Sequence, residues 1–226
     1  MATVRPFKGL RAPKDIAPML WALPYDVMNS EEAREMAKGN PHSFLHVTKP
    51  EIDLDPKIDL YDPKVYAQAQ QNYQMFIQKG WLKHDEKAFY YVYKQGWQGR
   101  TQIGLVACCA AEEYWNNTIK KHELTRADKE EDRLKHVGTI NGNAGAVFLT
   151  YRARPEVDTF IAEQIKTAPE YDFTTEDQVK HQLWVVRDEA WATKITEAFA
   201  RIQYLYVADG HHRSAAAART AKIRRE

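Results

Sequence analysis

Two β-rich runs joined by a short turn constrain the fold of this chain more than any other feature. The runs FYYVYKQ (89–95) and TQIGLVACCAA (101–111) are rich in residues that favour strands. The segment between them, GWQGR (96–100), contains glycines that suit a tight turn. Because so short a connection can join only antiparallel strands, we expect a β-hairpin here.

Segments typical of helices and of strands surround this hairpin without a strict βαβ rhythm. Helices are predicted after a cap at Asn29 or Ser30, over residues 63–79, from Pro155, over EAWATKITEAFARI (189–202) and from Gly210 onwards. Strands are predicted at SFLHVTKP (43–50), AGAVFLTYRA (144–153), HQLWVVRD (181–188) and IQYLYVADG (202–210), and a surface loop at 50–63. The fold class we expect is α+β, with a mixed, partly antiparallel sheet and flanking helices.

The helix predicted over 63–79 has an apolar face, and we expect this face to pack on the sheet. Its apolar residues recur at spacings of three and four positions, at Val65, Ala69, Tyr73, Phe76 and Ile77. The sequence shows no internal repeat, low-complexity tract or clear linker. We therefore expect a single α+β domain over residues 1–226.

The charge balance excludes a general affinity for nucleic acids. Lys and Arg number 32 against 31 Asp and Glu, which gives a formal net charge of +1. No overall positive field holds a nucleic-acid backbone, so any charged partner must be met by a local group of residues. No stretch is apolar and long enough for a signal peptide or a membrane span, so we expect a cytoplasmic protein without membrane partners.

The two cysteines, Cys108 and Cys109, are adjacent in a predicted strand. Their side chains would point to opposite faces of that strand, which suits neither a disulfide nor a shared metal. We expect them to be small core residues.

The stretch YVADGHHRSAAAA (206–218) predicts a strand that turns into a helix. The first N–H groups of such a helix lack internal partners, and the helix dipole favours an anion there. Gly210 permits a sharp turn close to a phosphate, Arg213 can hold phosphate oxygens, and Ser214 can donate its hydroxyl. Asp209 can bind magnesium.

Two other interpretations of this turn stay open. Asp209 can be a simple N-cap before a polar helix start. His211 and His212 can bind a metal, but neighbours on a helix diverge by about 100°, which disfavours a shared ion.

A second polar cluster, KKHELTRADKEEDRLKH (120–136), superficially suggests a zinc protease. That motif needs a histidine three places after Glu123, and Arg126 occupies the position. The zinc-protease hypothesis is therefore excluded. Thr125 and Asp128 instead form a variant capping box, which predicts a helix running from Arg126.

This predicted helix carries a cationic stripe. Arg126, Lys129, Arg133 and His136 recur at intervals of three, four and three, so they share one face. Lys129 and Arg133 repel one another, and an anion between them would relieve that repulsion. The alternative is an ordinary solvated surface helix.

Three further groups of residues are candidates for the same site. His122 and Glu123 precede the helix, and Glu123 can act as a general base if burial raises its pKa towards neutrality. In PYDV (24–27), Tyr25 and Asp26 either contact a ligand or form a capping turn. Three cations near the start of the chain either join an anion site or lie on a solvated edge strand: Arg5, Lys8 and Arg11.

Four motifs in order resemble the bacterial and archaeal family called domain of unknown function 1015. They are RPFKGLRAP (5–13), PYDV (24–27), KKHELTRADKEEDR (120–133) and DGHHRSAAA (209–217). The resemblance implies kinship with the ParB and sulfiredoxin-like superfamily, whose members bind nucleotides or phosphates through a polar turn that leads into a helix. That superfamily includes kinases of free serine with a similar DGHHR. Family members usually continue well beyond this helix, so the chain can be an N-terminal portion of a longer family chain.

Together these observations predict a small-molecule phosphotransferase with a ParB/sulfiredoxin-like nucleotide-binding core. A nucleotide (ATP or ADP) or another phosphate donor would bind at DGHHR with magnesium, and a serine-like hydroxyl amino acid would accept the phosphate. The predicted roles are catalytic for Glu123, Asp209 and Arg213, phosphate-binding for Gly210, His211, His212, Arg213 and Ser214, substrate-binding for His122, Arg126 and Arg133, and metal-binding for Asp209.

Two alternative functions remain at this point. A phosphoserine-type phosphatase would use the same pocket, because an anion site does not reveal the direction of transfer. A ParB-like, nucleotide-switched DNA-binding protein would need a helix-turn-helix and a basic face, and neither stands out in the sequence.

Overall fold

The computed structural model describes residues 1–226 and contains nine α-helices and one short 3-10 helix. The helices are α1 (Ala17–Leu20), α2 (Ser30–Ala37), α3 (Leu45–Thr48), α4 (Pro63–Gln78), α5 (Glu112–Trp115), α6 (Ala127–Ile140), α7 (Pro155–Gln164), α8 (Glu189–Phe199) and α9 (His211–Ile223), with the 3-10 helix at Pro50–Asp53. None of these helices has the length and apolar character needed to cross a membrane.

The strands are short apart from three, and they form several small, mostly antiparallel sheets. They are β1 (Val4–Arg5), β2 (Leu10–Arg11), β3 (Lys83–His84), β4 (Tyr90–Trp97), β5 (Arg100–Val106), β6 (Cys108–Cys109), β7 (Ile119–Lys120), β8 (Phe148–Thr150), β9 (Tyr171–Thr174), β10 (Lys180–Val186) and β11 (Leu205–Asp209). The mixture of helices and strands confirms the α+β class.

The chain divides into two compact units, each made of three separate segments. The first unit comprises Met1–Pro18, His84–Lys120 and Leu149–Tyr206, and the second comprises Met19–Lys83, Lys121–Phe148 and Val207–Glu226. The expectation of a single domain over residues 1–226 stays a prediction.

The first unit is built on a four-stranded antiparallel sheet in the order β5-β4-β10-β9. The predicted hairpin is confirmed as β4 and β5, with Trp97 opposite Arg100 at the closed end. Gln98 and Gly99 between them both have positive φ angles, 47° and 75°. Two such residues form the type of two-residue turn whose twist matches that of the strands, which is why this segment closes so tightly.

The core of the first unit lies between this sheet and the helices α7 and α8. Tyr90, Val92 and Trp184 are buried on the sheet, and Phe160 and Phe199 are buried on the helices. The Tyr90 hydroxyl donates to the carbonyl of Val4 over 3.0 Å, so the polar end of this buried ring is satisfied. The helix predicted from Pro155 and the helix and strands predicted over 181–210 are present.

The prediction that the cysteines are core residues is wrong for Cys108, whose side chain is exposed, and Cys109 is half-buried. Strand β6 has only two residues and pairs with β1 alone, with Val4 opposite Cys109. One face of so short a pair is covered and the other remains open to solvent, because successive strand side chains point to opposite faces.

The second unit is helical. The predicted helix over 63–79 is confirmed as α4, which buries Val65, Ala69 and Phe76. Its apolar face packs on α3, α6 and the 3-10 helix, so the prediction that it packs on a sheet is wrong. An apolar stripe at helical spacing fits a helical neighbour as well as a sheet, and periodicity does not distinguish the two.

The strand predicted at residues 43–50 is wrong, because this segment forms α3. The Lys49 N–H donates to the Leu45 carbonyl over 2.8 Å, which closes a helical turn. Leu45 and Val47 are fully buried, and the Asn72 side-chain amide donates to the His46 carbonyl. A short apolar run fits either element, and packing against α4 decided for the helix.

The surface loop predicted at 50–63 is confirmed only in its later part. The first residues form the 3-10 helix, and Glu51 within it is buried. Glu51 accepts from the hydroxyl of Ser30 over 2.8 Å and pairs with Lys49 over 3.0 Å. The hydrogen bond from Ser30 holds the 3-10 helix against the start of α2, and Lys49 neutralises the buried carboxylate.

Replacement of Asn29 by Ala should lower the free energy of unfolding by about 1 kcal/mol. Asn29 is the N-cap of α2, and its side-chain oxygen accepts from the N–H groups of Glu31 and Glu32, both over 2.9 Å. The matched control is Asn29→Asp, which retains an acceptor. Urea denaturation of the three proteins measures the difference, and equal stability of Asn29→Ala and wild type would contradict the role of the cap.

Candidate functional site

A cavity of about 450 Å³ lies in the second unit. Its walls come from the PYDV turn, the start of α2, the 3-10 helix, α4, α6 and the first turn of α9. The charged and polar side chains that line it include Tyr25, Asp26, Lys49, Glu51, Tyr66, Arg126, Lys129, Asp132, Arg133, His136 and His212.

The cationic stripe predicted on α6 forms one wall of this cavity. Arg126, Lys129, Arg133 and His136 all line it, as their shared helical face requires. The stripe is therefore not an ordinary solvated surface.

The capping box predicted at Thr125 and Asp128 is wrong. Arg126 is the N-cap of α6, and no side chain caps the helix. The Thr125 hydroxyl donates to Glu130 over 2.6 Å, and Asp128 accepts from the Arg126 guanidinium over 2.8 Å. The backbone N–H of Arg126 donates to His212 Nε2 over 3.1 Å, so an imidazole of α9 satisfies this end of the helix.

A buried carboxylate organises the floor of the cavity. Asp132 accepts from the Tyr66 hydroxyl over 2.9 Å and from the Arg133 guanidinium over 2.7 Å. The guanidinium also lies over the ring of Tyr25, with 3.9 Å from its central carbon to the ring centre. Burial, assisted by the Asp132 carboxylate, raises the pKa of Tyr66, so this hydroxyl remains a donor.

Lys129 is the one lining cation that forms no ion pair. Arg133 pairs with Asp132, Lys49 with Glu51, and Arg126 with Asp128. Lys129 is half-buried and lines the cavity, and its ammonium group has no carboxylate partner. An anionic ligand would supply the missing partner.

His136 does not add to the positive charge of the stripe at neutral pH. Burial, assisted by the neighbouring charge of Arg133, lowers its pKa to about 4. Its Nε2 lies 2.8 Å from the Val47 carbonyl, which only accepts hydrogen bonds, so Nε2 carries the proton of the neutral ring. His136 therefore ties α6 to α3.

The DGHHR segment forms the predicted strand-to-helix turn, between β11 and α9. Gly210 rather than Asp209 is the N-cap, with a left-handed φ of 87°. The Arg213 guanidinium folds back over the turn, donates to Asp209 over 2.7 Å and also contacts the Ala146 carbonyl. The left-handed φ favours glycine at this position, and a Cβ at Gly210 would lie 3.0 Å from the Arg213 Cζ atom, so the guanidinium would have to shift.

Adjacent histidines of this turn face different surroundings, as expected for neighbours on a helix. His212 lines the cavity. His211 is buried, with Nδ1 at 3.1 Å from Glu123 Oε2 and its ring against that of His122. The side chain of Glu123 is 61% exposed, so it lacks the burial on which its assignment as a general base depended.

The structure brings only part of the predicted site together at the cavity. Arg126, Arg133 and His212 line it, together with Tyr25 and Asp26 of the PYDV turn. The other predicted site residues do not: His122, Glu123, Asp209, Gly210, His211, Arg213 and Ser214. The Ser214 hydroxyl is buried and makes no hydrogen bond.

The cations near the start of the chain belong to the first unit. Arg11 donates through Nε to Asp85 over 2.8 Å and through Nη1 to the Tyr171 hydroxyl over 2.7 Å. The Arg11 guanidinium therefore makes its hydrogen bonds within the first unit. Arg5 and Lys8 are exposed.

Sequence reasoning missed four lining residues, Lys49, Glu51, Tyr66 and Asp132. Lys49 and Glu51 lie in segments predicted as the end of a strand and a loop. A carboxylate next to an arginine, on a helix that packs against other helices, is the pattern that could have predicted Asp132.

The family model described as "Protein of unknown function (DUF1015)" matches residues 4–226. The chain belongs to this family. The match spans all four motifs on which the resemblance rested. No curated protein and no solved structure matches the chain.

In this DUF1015 chain, Gly210→Ala should lower the free energy of unfolding by about 1–2 kcal/mol, because a side chain strains the left-handed conformation. Displacement of Arg213 from the turn adds to the loss. Gly138→Ala is the control, since Gly138 lies within α6 with open space around it. It should raise stability by about 0.5–1 kcal/mol. If chemical denaturation gave both variants a change of the same sign in the free energy of unfolding, the left-handed conformation assigned to Gly210 would be contradicted.

Acidification should remove stability that depends on neutral His136. The folded-state pKa of about 4 lies below the ordinary value of 6.5, so the unfolded chain takes up the proton first. This contribution is present above pH 6.5 and is lost as the pH falls towards 4. It amounts to roughly 3 kcal/mol at about 1.4 kcal/mol per pH unit. The His136→Gln variant lacks this contribution, so the difference in free energy of unfolding between wild type and variant should decrease at acid pH. Parallel plots of unfolding free energy against pH for the two proteins would exclude a neutral, buried His136.

Proposed function

We propose that the cavity binds the phosphate of a small phosphorylated molecule or nucleotide, and that the chain is a phosphotransferase for a serine-like hydroxyl amino acid. The observation that carries this proposal is the meeting of the α6 cationic face and His212 of the DGHHR turn in one cavity, with Lys129 unpaired.

The size of the cavity suits a small ligand. Its volume of about 450 Å³ lies in the range of roughly 300–1,000 Å³ that small-molecule sites occupy. The formal net charge of +1 gives no general attraction for a nucleic-acid backbone, so we do not propose the ParB-like DNA-binding function.

The charges along the wall suit a phosphorylated amino acid. Asp128 uses only part of the Arg126 guanidinium. The remaining N–H groups of Arg126 and the ammonium group of Lys129 can donate to phosphate oxygens at the cavity wall. Asp26 of the PYDV turn also lines the cavity, exposed and outside any ion pair. Its carboxylate would bind the ammonium group of the amino acid, while the cations hold the phosphate.

The first turn of α9 adds a second attraction for an anion. His212 belongs to this turn and lines the cavity. The first N–H groups of the 13-residue helix lack helical partners, and the dipole places partial positive charge at this end. Phosphoryl transfer requires mainly positioning and charge neutralisation, which this arrangement provides.

Magnesium fits the turn only through a single carboxylate. Asp209 keeps one oxygen away from Arg213, and its side chain is 71% exposed. One carboxylate is enough where phosphate oxygens and water complete the shell. Because Asp209 does not line the cavity, an ion bound there would neutralise the phosphates of ATP or ADP only where the nucleotide reaches from the cavity to the turn. The kinship with ParB, sulfiredoxin and free-serine kinases is part of this proposal.

The proposal is tested by titration calorimetry of the full chain with inorganic phosphate, phosphoserine, ATP and ADP, each with and without magnesium. We expect at least one phosphorylated compound to bind at one site per chain. Incubation with serine and ATP or ADP should then yield phosphoserine, measured by mass spectrometry. Release of phosphate from phosphoserine without transfer would identify a phosphatase instead.

Lys129→Ala should weaken binding of the phosphorylated ligand about tenfold or more, because a charge-assisted hydrogen bond contributes roughly 1.5–3 kcal/mol. Lys135→Ala is the matched control. Lys135 lies on the same helix, exposed and away from the cavity, so its removal should leave the dissociation constant unchanged. Equal weakening by both variants would show a general effect of charge and overturn the assignment of the cavity.

A further inference from the structure

Three metal-binding side chains meet beside the first turn of α9. They are His122, Glu123 and His211, and one ligand atom of each lies within 4.8 Å of the other two. His211 Nδ1 is 3.1 Å from Glu123 Oε2, and the rings of His122 and His211 have their centres 4.5 Å apart at nearly right angles. None of the three lines the cavity.

One member of this cluster is held in place and two can adjust. His211 is only 6% exposed, while the side chains of His122 and Glu123 face solvent. The buried Nε2 of His211 makes no hydrogen bond. Glu123 and His211 alone would be an ordinary hydrogen-bonded pair. Such a pair does not explain why the imidazole of His122 also lies in contact with His211.

The donor set is one that zinc prefers. Two imidazoles and one carboxylate leave a fourth position open, as in zinc sites with three protein ligands. Zinc ligands lie at about 2.0–2.2 Å from the metal, so their atoms are roughly 3.4 Å apart in a tetrahedron. The ligand atoms now lie within 4.8 Å of one another, and rotation of the exposed His122 and Glu123 side chains would bring them closer to that spacing.

We propose that His122, Glu123 and His211 form a binding site for a divalent transition metal of the zinc class. Magnesium does not suit this set, because it takes oxygen ligands and demands octahedral geometry. The site is therefore chemically distinct from the phosphate-binding cavity and from Asp209. Within it, Glu123 is a metal ligand and not a free base.

The His122–Glu123 pair belongs to this cluster and also to the incomplete zinc-protease motif of the sequence. The pair lies before α6 and not on a helix, and His211 of α9 takes the place of the missing second histidine from a distant part of the chain. A bound ion would tie the segment before α6 to the start of α9. Its fourth position would face solvent, open to water or an anionic group.

The experiment uses the full chain without a polyhistidine tag, stripped of metal with a chelator and dialysed. Zinc binding is measured by titration calorimetry, and cobalt(II) is added as a spectroscopic probe. We expect one ion per chain and the visible absorption of tetrahedral cobalt(II), displaced by zinc. Absence of equimolar binding would overturn the proposal and leave a hydrogen-bonded His–Glu pair only.

Variants of the exposed ligands locate the ion without disturbing buried structure. His122→Ala and Glu123→Gln should each weaken zinc binding by more than the roughly 10- to 100-fold that loss of an outer partner costs. His84→Ala, at an exposed histidine of the first unit, is the matched control and should bind zinc like wild type. Unchanged affinity in both ligand variants would place any bound metal elsewhere.

The metal site and the phosphate site can fail separately. Lys129→Ala should retain full zinc and cobalt binding, because Lys129 is not among the three ligands. Phosphate binding in the metal-free chain, measured in the same calorimeter, tests the cavity alone. Loss of metal binding in Lys129→Ala would contradict two independent sites.

Discussion

The buried carboxylate of Asp132 is the interaction on which the second unit depends. A charge removed from water must be neutralised and hydrogen-bonded, and here Tyr66 and Arg133 meet that requirement. Tyr66 belongs to α4 and Arg133 to α6, and Arg133 also lies over the ring of Tyr25. One carboxylate therefore fixes two helices and the PYDV turn around the cavity, and it leaves Lys129 as the cation without a partner.

The start of α9 separates two chemical environments by one residue. Gly210 allows the chain to leave β11 in a left-handed conformation, and Arg213 closes the turn on Asp209. From that fixed start, His211 and His212 point to different sides because successive helical residues diverge. His212 meets the cavity, and His211 meets Glu123 and His122. The turn thus serves the proposed phosphate site and the proposed metal site at once.

Features set by local chemistry were predictable from the sequence. The hairpin at 89–106 follows from a turn in which Gln98 and Gly99 adopt positive φ, and α2 follows from the cap at Asn29. The α6 stripe follows from helical spacing alone. In each case the contacts that decide the local structure join residues within a few positions of one another, so the sequence alone is enough to predict it.

Features set by distant contacts were not predictable. The segment at 43–50 reads as a strand, yet α4 packs on it and it becomes α3. The Arg126 N–H at the start of α6 donates to His212, which lies 86 residues further along the chain. Both outcomes depend on partners that the local pattern does not reveal.

The sequence by itself determined the hairpin, the main helices, the cationic face of α6 and the strand-to-helix turn at DGHHR, because each depends on spacing or on local backbone conformation. Only the tertiary structure decided which of these face one another. It placed His212 with the α6 cations and brought His211 to His122 and Glu123. The physical reason is that burial and charge pairing join residues far apart in the chain.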